Sequence, residues 1–201
     1  MEKILWIDAC VRGPQSRTRK LTEQFLEEYR RLHPDSVLQH CALSELDIRP
    51  LNEKTLSQRD ACLAAGDFGQ PIFRLAAQFA EADTIVISAP FWDLNFPSVL
   101  KVYFEQICVC GLTFHYNEHG DICGDCAAGK LLYVTTRGGI FSEGPAAGFE
   151  LAMPYIRGLC GMFGIPKLEC LAAEGLDIIT NDAERLMEAA FTEAVRLAAV
   201  F

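Results

Sequence analysis

The sequence has no long run of lysine and arginine residues. Acidic residues outnumber basic ones by 27 to 18, which gives a formal net charge of -9. Affinity for nucleic acids depends on clustered cations that neutralise phosphates, so this balance argues against a nucleic-acid partner. It also disfavours binding to an anionic membrane surface. We therefore expect neither a nucleic-acid nor a membrane partner.

Long apolar runs are also missing. The apolar run at residues 4–7 stops at Asp8 and is shorter than the roughly 7 to 15 apolar residues of a secretory signal. No stretch approaches the ~20 apolar residues that span a bilayer. The sequence has nine cysteines, an odd number that fits reduced thiols better than a disulfide framework. We therefore expect a cytoplasmic protein.

Apolar runs of strand length alternate with segments of helical period. The strand candidates are residues 4–7, 37–41, 84–88, 131–135 and 168–172. The helical segments lie around 21–32 and 72–79, at 98–108 and 149–163, and after the capping candidates Asn181 and Asp182. This alternation predicts one α/β domain over residues 1–201, a doubly wound sheet of five parallel strands with helices on both faces. The strand order 2-1-3-4-5 suits five such units and places ligands at the switch point between strands 1 and 3.

The first loop at that edge contains the turn Gly13-Pro14, followed by Ser16, Arg17 and Thr18 where a helix begins. Free backbone N–H groups, two hydroxyls and a guanidinium would suit a phosphate. Alternatively, Ser16 or Thr18 simply caps the helix. The dinucleotide motif G-x-G-x-x-G is missing, so one phosphate fits better than a pyrophosphate.

The second loop follows the third strand and contains Phe91 and Trp92, then Asp93 and Leu94. The two aromatic side chains could form the apolar wall that a flat heteroaromatic ring needs, while the backbone at 93 and 94 offers hydrogen bonds to polar ring edges. Alternatively, both aromatics plug the end of the sheet or lie in an oligomer interface. Position alone does not separate these two interpretations.

The third loop reads Thr136-Arg137-Gly138-Gly139. Paired glycines let the backbone approach a ligand closely, although they could equally form a simple turn. The three loops meet at one edge of the sheet, and together they predict a pocket for FMN.

Several motifs resemble one known family. The segment "APFWDLNFPSVLKVYFE" at 89–105 is followed by "GLTFHY" at 111–116, "TTRGG" at 135–139 and "AEG" at 173–175. In order and spacing, over essentially the whole chain, these motifs resemble the FMN-dependent NADH-azoreductase and NAD(P)H:quinone oxidoreductase family of the flavodoxin-like fold. The resemblance implies a homodimer with the active site at the subunit interface. It also implies ping-pong hydride transfer from NADH or NADPH, through flavin N5, to a quinone or azo acceptor.

By position, the resemblance implies a set of cofactor-binding residues and no catalytic side chain, because the flavin does the chemistry. Tyr116 is expected to approach the substrate side from the partner subunit, with an ordinary interface tyrosine as the alternative. No metal site is expected. The cofactor-binding set is Cys10, Ser16, Arg17, Thr18, Pro90, Phe91, Trp92, Asp93, Leu94, Thr136, Arg137, Gly138 and Gly139.

The chain departs from the family pattern at three places. Cys10 stands where serine is usual, which would weaken one hydrogen bond. Asp93 stands where asparagine is common, and a carboxylate at ~6 Å would lower the flavin potential by roughly 60 mV. Cys108, Cys110 and the C-x-x-C pair of residues 123 and 126 could bind zinc or act in redox chemistry, or be free thiols. An electron carrier or redox sensor without nicotinamide turnover therefore stays open as the alternative function.

Overall fold

The computed structural model describes all of residues 1–201. Its strands are β1 (Lys3–Asp8), β2 (Val37–Ala42), β3 (Thr84–Ser88), β4 (Phe114–Tyr116), β5 (Ile122–Gly124), β6 (Lys130–Thr136) and β7 (Lys167–Ala173). Its α-helices are α1 (Arg17–Leu32), α2 (Glu53–Ala64), α3 (Arg74–Ala80), α4 (Ser98–Ile107), α5 (Ala152–Phe163) and α6 (Ala183–Ala198).

Five strands form one parallel sheet in the order β2-β1-β3-β6-β7. Counted among the strands of this sheet alone, the order is the expected 2-1-3-4-5, because the extra strands β4 and β5 pair only with each other. The order reverses between β1 and β3, where Ile7 lies opposite Ile87. The carboxyl ends of β1, β3 and β6 therefore open onto one edge of the sheet, where ligands bind in folds of this kind.

The central strands are buried on both faces, which explains their continuous apolar runs. Successive side chains of a strand point to opposite faces, so Leu5 and Ile85 pack on one side of the sheet, and Trp6 and Val86 on the other. The first side is covered by α3, α4 and α5 and holds a cluster of 28 buried residues. The second is covered by α1 and α6 and holds a smaller cluster of 16, because only two helices lie there.

Two elements of the structure are not predicted by the sequence pattern. Helix α2 has no buried residue, so its sequence has no clear apolar stripe. A capping box between Asn52 and Thr55 starts it instead. The hairpin of β4 and β5 has strands of only three residues each, too short for a recognisable alternation.

One predicted helix start shifts, and another is confirmed. The helix predicted over 149–163 begins at Ala152, after a short 3-10 turn at Ala147–Phe149. The carboxylate of Glu150 accepts hydrogen bonds from the backbone N–H of Met153, which favours a start at this later position. Helix α6 begins after Asp182, whose carboxylate caps it as predicted. None of the six helices combines the length and apolar character needed to cross a bilayer.

Candidate functional site

A cavity of about 440 Å³ lies at the carboxyl edge of the sheet, at the switch point. All three predicted loops line it, and so does a fourth segment that follows β7. The predicted site residues in its wall are Ser16, Arg17, Pro90, Phe91, Trp92, Thr136, Arg137 and Gly138. The predicted residues outside its wall are Cys10, Thr18, Asp93, Leu94 and Gly139. The wall also contains Val11, Arg12, Gln15, Leu176 and Asp177, none of which was predicted.

The first loop is a tight turn that delivers the chain to the start of α1. Gly13 has a φ of 53°, the left-handed region that suits glycine. The Ser16 hydroxyl accepts a hydrogen bond from the backbone N–H of Arg19 at 3.3 Å, so Ser16 caps α1 in this structure. Arg12 and Arg17 are exposed and lie in the cavity wall. The loop therefore presents a helix N-terminus and two cations to the cavity.

Thr18 connects the first loop to the third. Its side chain is fully buried, and its hydroxyl lies 2.6 Å from the hydroxyl of Thr136. Thr136 lines the cavity, whereas Thr18 lies behind it. The role that this geometry gives Thr18 is to support the cavity wall from behind.

Asp8 is a buried carboxylate beneath the first loop, with only 3% of its surface exposed. Its Oδ1 accepts hydrogen bonds from the backbone N–H of Cys10 at 2.9 Å and from the Ser88 hydroxyl at 3.1 Å. Its Oδ2 lies 3.5 Å from Arg19 Nη1 and 3.3 Å from His40 Nε2. Asp8 thus fixes the first loop to the end of β1. In the sequence, the feature that points to this role is an acidic residue directly after an apolar run, because a buried carboxylate needs partners.

The thiol of Cys10 points into the protein. Its Sγ lies 3.7 Å from the carbonyl oxygen of Ser88, and the residue is almost completely buried. Burial raises the pKa of this thiol to about 12, and the negative charge of Asp8 adds to the effect. In this structure the Cys10 side chain does not reach the cavity, and only its backbone shapes the loop.

The second loop contains a tight turn from Trp92 to Asn95. The two residues exchange backbone hydrogen bonds of 2.8 Å in both directions. Asp93 and Leu94 have φ angles of 49° and 66°, as a type I′ turn requires at both central positions. Neither residue is a glycine, so this turn is strained, and strain of this kind concentrates at functional sites.

The two aromatic residues of this loop have different roles. The Phe91 ring packs against Phe141, with ring centres 4.6 Å apart, and the Arg137 guanidinium carbon lies 5.3 Å from its centre. Phe91 is thus packed against two residues of the third loop and is less available to a ligand than Trp92. Trp92 keeps 41% of its surface exposed in the cavity wall. Trp92 is therefore the available apolar wall for a planar ligand.

Arg137 is the centre of a buried ion-pair cluster behind the cavity. Its Nη1 donates to Glu174 at 2.6 Å and its Nη2 to Glu150 at 3.1 Å, and only 4% of its side chain is exposed. Burial alone would raise the pKa of Glu174, but hydrogen bonds from Ser142, Arg137 and the Phe141 backbone outweigh it and hold that pKa below its usual value. The cluster neutralises Arg137 and fixes the third loop to the end of β7 and the start of α5. The Nε of Arg137 is buried without a hydrogen-bond partner.

The paired glycines of the third loop make room for the segment after β7. A Cβ on Gly138 would lie 2.6 Å from Oδ2 of Asp177, and the backbone N–H of Asp177 donates to the Gly138 carbonyl at 3.0 Å. The Gly175 N–H donates to the Gly139 carbonyl at 2.9 Å. The sequence predicts that these glycines let a ligand approach the backbone closely. In this structure the segment at residues 175–177 makes that close approach instead.

The hairpin of β4 and β5 lies apart from this cavity. Tyr116 on β4 is exposed and lines a second, more apolar hollow of about 520 Å³, together with Leu56 of α2 and Tyr155 of α5. The hollow also contains Cys108 and Cys110. Within one copy of the chain, Tyr116 is in the wall of this hollow and not in that of the first cavity.

The cysteines near this hairpin are free thiols. No group of three or more histidine, cysteine, aspartate or glutamate side chains is placed to hold a metal ion. Burial raises the pKa of Cys108 to about 11 and that of Cys126 to about 12. A raised pKa keeps a thiol protonated and lowers its reactivity, which does not favour a redox role for these two residues.

Comparison with known proteins gives consistent matches over the whole chain. A family model described as flavodoxin-like fold matches residues 2–197. The chain is 36% identical to FMN-dependent NADH:quinone oxidoreductase 2 of Clostridium acetobutylicum, and 32% identical to FMN-dependent NADH:quinone oxidoreductase of Caldicellulosiruptor saccharolyticus, with 100% of each chain covered. The crystal structure of an azoreductase from Bacillus anthracis superposes with a TM-score of 0.87 at 29% identity, covering 100% of both chains. The chain therefore belongs to this family of flavodoxin-like proteins.

Proposed function

We propose that the protein is an FMN-dependent oxidoreductase that uses NADH or NADPH to reduce quinones or azo compounds. The observation that carries this proposal is the composition of the switch-point cavity. The cavity wall contains Arg12, Arg17 and the N-terminus of α1, together with the exposed ring of Trp92. A singly phosphorylated planar heteroaromatic molecule matches this combination. The relatives named FMN-dependent NADH:quinone oxidoreductase support the same ligand.

The chemistry of the donor groups fits FMN at each end of the cavity. Arg12 has no ion pair or side-chain hydrogen bond in the structure and is available to a phosphate, which carries about -1.5 to -2 charges at neutral pH. Arg137, by contrast, is already neutralised by two carboxylates. We propose that Ser16, Arg17 and the first turn of α1 hold the phosphate, with Arg12 as an additional cation. Thr18 would act through Thr136.

The isoalloxazine ring would lie against the second and third loops. We propose that Pro90 and Trp92 contact the ring, and that the backbone of residues 91–94 offers hydrogen bonds to its polar edge. The strained turn at Asp93 and Leu94 is held by the two Trp92–Asn95 hydrogen bonds, so these backbone groups would be preorganised. Thr136 to Gly139 would border the other edge, as proposed from the sequence.

When bound, FMN supplies hydride transfer from the nicotinamide donor to the acceptor. The contribution of the chain is to orient the ring and to leave one of its faces accessible to a second flat molecule. With a single open side, donor and acceptor would occupy the same space in turn, as a ping-pong sequence requires. No nucleophile or general base among the side chains is needed for this function.

We also propose that the protein works as a homodimer. Leu94 and Leu151 are exposed next to the cavity loops, where the Leu151 N–H donates to the Leu94 carbonyl, and Phe149 is exposed nearby. In the second hollow, Leu56 and Tyr116 form another exposed apolar surface. Exposed apolar surface of this kind is typical of subunit contacts. A dimer that joins the two surfaces would bring Tyr116 of one subunit toward the cavity of the other.

Two further expectations complete the proposal. We propose a cytoplasmic location on the basis of the nine cysteines in the sequence. We also propose that residues 1–201 act as one domain, since both hydrophobic clusters are built on the same sheet.

An anaerobic reduction experiment tests the proposed function. Protein loaded with FMN is mixed with NADH or NADPH, and the visible absorption band of the flavin is followed. Rapid bleaching, and reoxidation by an added quinone or azo dye, is the expected result. Bound FMN that does not bleach within minutes would favour the electron carrier instead. Light scattering of the same sample measures the subunit number.

A further inference from the structure

Arg17 and Asp177 form an ion pair across the cavity. Arg17 Nη1 lies 3.0 Å from Asp177 Oδ1, and both residues belong to the cavity wall. Arg17 begins α1 and Asp177 follows β7, so the pair joins segments that are 160 positions apart in the sequence. Asp177 is the only acidic side chain in the cavity wall, and all the other charged side chains of the wall are arginines.

The backbone and Gly138 together fix the position of this carboxylate. The Asp177 N–H is bound to the Gly138 carbonyl, so the residue is held where its side chain faces the cavity. The missing side chain at 138 creates the space, because a Cβ there would lie 2.6 Å from Asp177 Oδ2. The negative charge is therefore built into the site beside Arg17.

We infer that Asp177 competes with the cofactor phosphate for Arg17 and so limits the preference of the site for FMN over riboflavin. The inference rests on the proposed function. A phosphate that binds Arg17 must displace the carboxylate, and the released carboxylate then faces a second anion. Both effects weaken the binding of FMN. Neither acts on riboflavin, which has the same ring and ribityl chain without the phosphate.

The size of the effect follows from the exposure of the pair. Both side chains are about half exposed or more, at 48% for Arg17 and 71% for Asp177, so water screens the interaction strongly. We therefore expect Asp177→Asn to tighten FMN binding by about two- to fivefold. The gain should become smaller as the ionic strength rises from roughly 0.05 to 0.5 M, because salt screens exposed charges.

Flavin binding to flavin-free protein tests the inference without measuring turnover. Dissociation constants for FMN and riboflavin are measured by quenching of flavin fluorescence in the wild type, Asp177→Asn and Glu193→Gln. The last variant removes the same charge from an exposed ion pair on α6, outside the cavity wall. We expect tighter FMN binding only in Asp177→Asn, with riboflavin binding unchanged within about twofold in all three.

A second background separates competition from simple repulsion. With Arg17→Gln, the ion pair is gone, so adding Asp177→Asn should improve FMN binding less than it does in the wild type. Unchanged FMN affinity in Asp177→Asn would overturn the inference. So would an equal loss for FMN and riboflavin, which would instead assign Asp177 to the ribityl hydroxyls. If the wild type binds no FMN, the proposed function is overturned together with this inference. If the wild type and Asp177→Asn bind FMN with equal affinity, this inference alone is overturned.

Discussion

The guanidinium group of Arg137 donates to the carboxylate of Glu174 across 2.6 Å, in the protein interior behind the cavity. The same Arg137 reaches Glu150 at the start of α5 and lies over the ring of Phe91. One side chain thus connects the second loop, the third loop and the segment after β7. The shape of the cavity should depend on this side chain even though its charge is already neutralised.

Arg137→Met tests that dependence. The substitution leaves the carboxylates of Glu174 and Glu150 buried without their cation, which typically costs 3–5 kcal/mol in the free energy of unfolding. We expect a loss of about this size in urea denaturation, together with weaker FMN binding. Arg196→Met, which breaks an exposed pair with Glu193, is the control and should have a much smaller effect. Similar stabilities for the two variants would contradict the role given to the buried cluster.

The same cluster should make stability depend on acid pH. The pKa of Glu174 is lowered in the folded protein, because hydrogen bonds from Ser142 and Arg137 outweigh the opposing effect of burial. A group with a lowered folded pKa stabilises the protein above its unfolded pKa, near 4.3, and this stabilisation is lost as the pH falls through the folded value. Urea midpoints measured from pH 6 down to pH 3 should fall less steeply in Glu174→Gln than in the wild type. Glu143→Gln, which removes an exposed carboxylate next to Ser142 in the third loop, is the control.

The sheet and the three loops could be predicted because each depends on local sequence. Strands such as β3 are buried on both faces and have a continuous apolar centre, and glycine or aromatic residues mark the loops that follow. Asp177 and Arg12 could not be assigned in the same way. Their place in the cavity depends on how distant loops pack, and neither lies in a pattern that singles it out. Likewise, α2 leaves no apolar stripe in the sequence because it buries no residue completely.

Asp93 stands where asparagine is common in the family, and its effect on the flavin potential depends on where its carboxylate lies. A lowering of the flavin potential by roughly 60 mV requires the Asp93 carboxylate to point toward the ring. The residue is exposed and lies outside the cavity wall, so we expect Asp93→Asn to change the potential by less than this amount. Redox titration of the two FMN-loaded proteins measures this difference. A full 60 mV shift would mean that the carboxylate turns toward the ring when FMN binds.

The strain at Leu94 can be measured with a pair of variants. Its φ of 66° costs about 1–2 kcal/mol for a residue with a Cβ, and glycine avoids this cost. Glycine also gains entropy in the unfolded chain, which offsets part of the benefit. We expect Leu94→Gly to be more stable than Leu94→Ala by about 1 kcal/mol, the reverse of the usual order of glycine and alanine. Equal stabilities would show that the turn relaxes and stores no strain.

The buried cysteines should be protected from alkylation in the folded protein. Burial raises the pKa of Cys10 to about 12 and that of Cys160 to about 11, so at pH 8 only about one thiol in a thousand or fewer is ionised. Iodoacetamide should therefore leave Cys10 and Cys160 unlabelled in the native protein, whereas labelling in urea should reach all nine cysteines, as followed by mass spectrometry. Early labelling of Cys10 would contradict its buried position.

Gly124 should be essential for the position of the hairpin that carries Tyr116. A Cβ at this residue would lie 2.0 Å from the backbone nitrogen of Gly164 and 2.1 Å from the carbonyl carbon of Phe163, so β5 could not pack on the end of α5. Backbone atoms cannot move aside as a flexible side chain can. We therefore expect Gly124→Ala to reduce the free energy of unfolding by about 1–3 kcal/mol.

Gly129→Ala is the matched control for this substitution, because a Cβ there would meet no atom within 4 Å and the backbone needs no glycine conformation. Urea denaturation of both variants gives the difference in stability. If the hairpin also forms the proposed dimer contact, Gly124→Ala should weaken dimerisation in light scattering while Gly129→Ala leaves it unchanged. A Gly124→Ala protein that is as stable as the wild type and fully dimeric would contradict this prediction. It would show that the hairpin can shift to make room for a Cβ, so that its packing on α5 and the position of Tyr116 do not require glycine at 124.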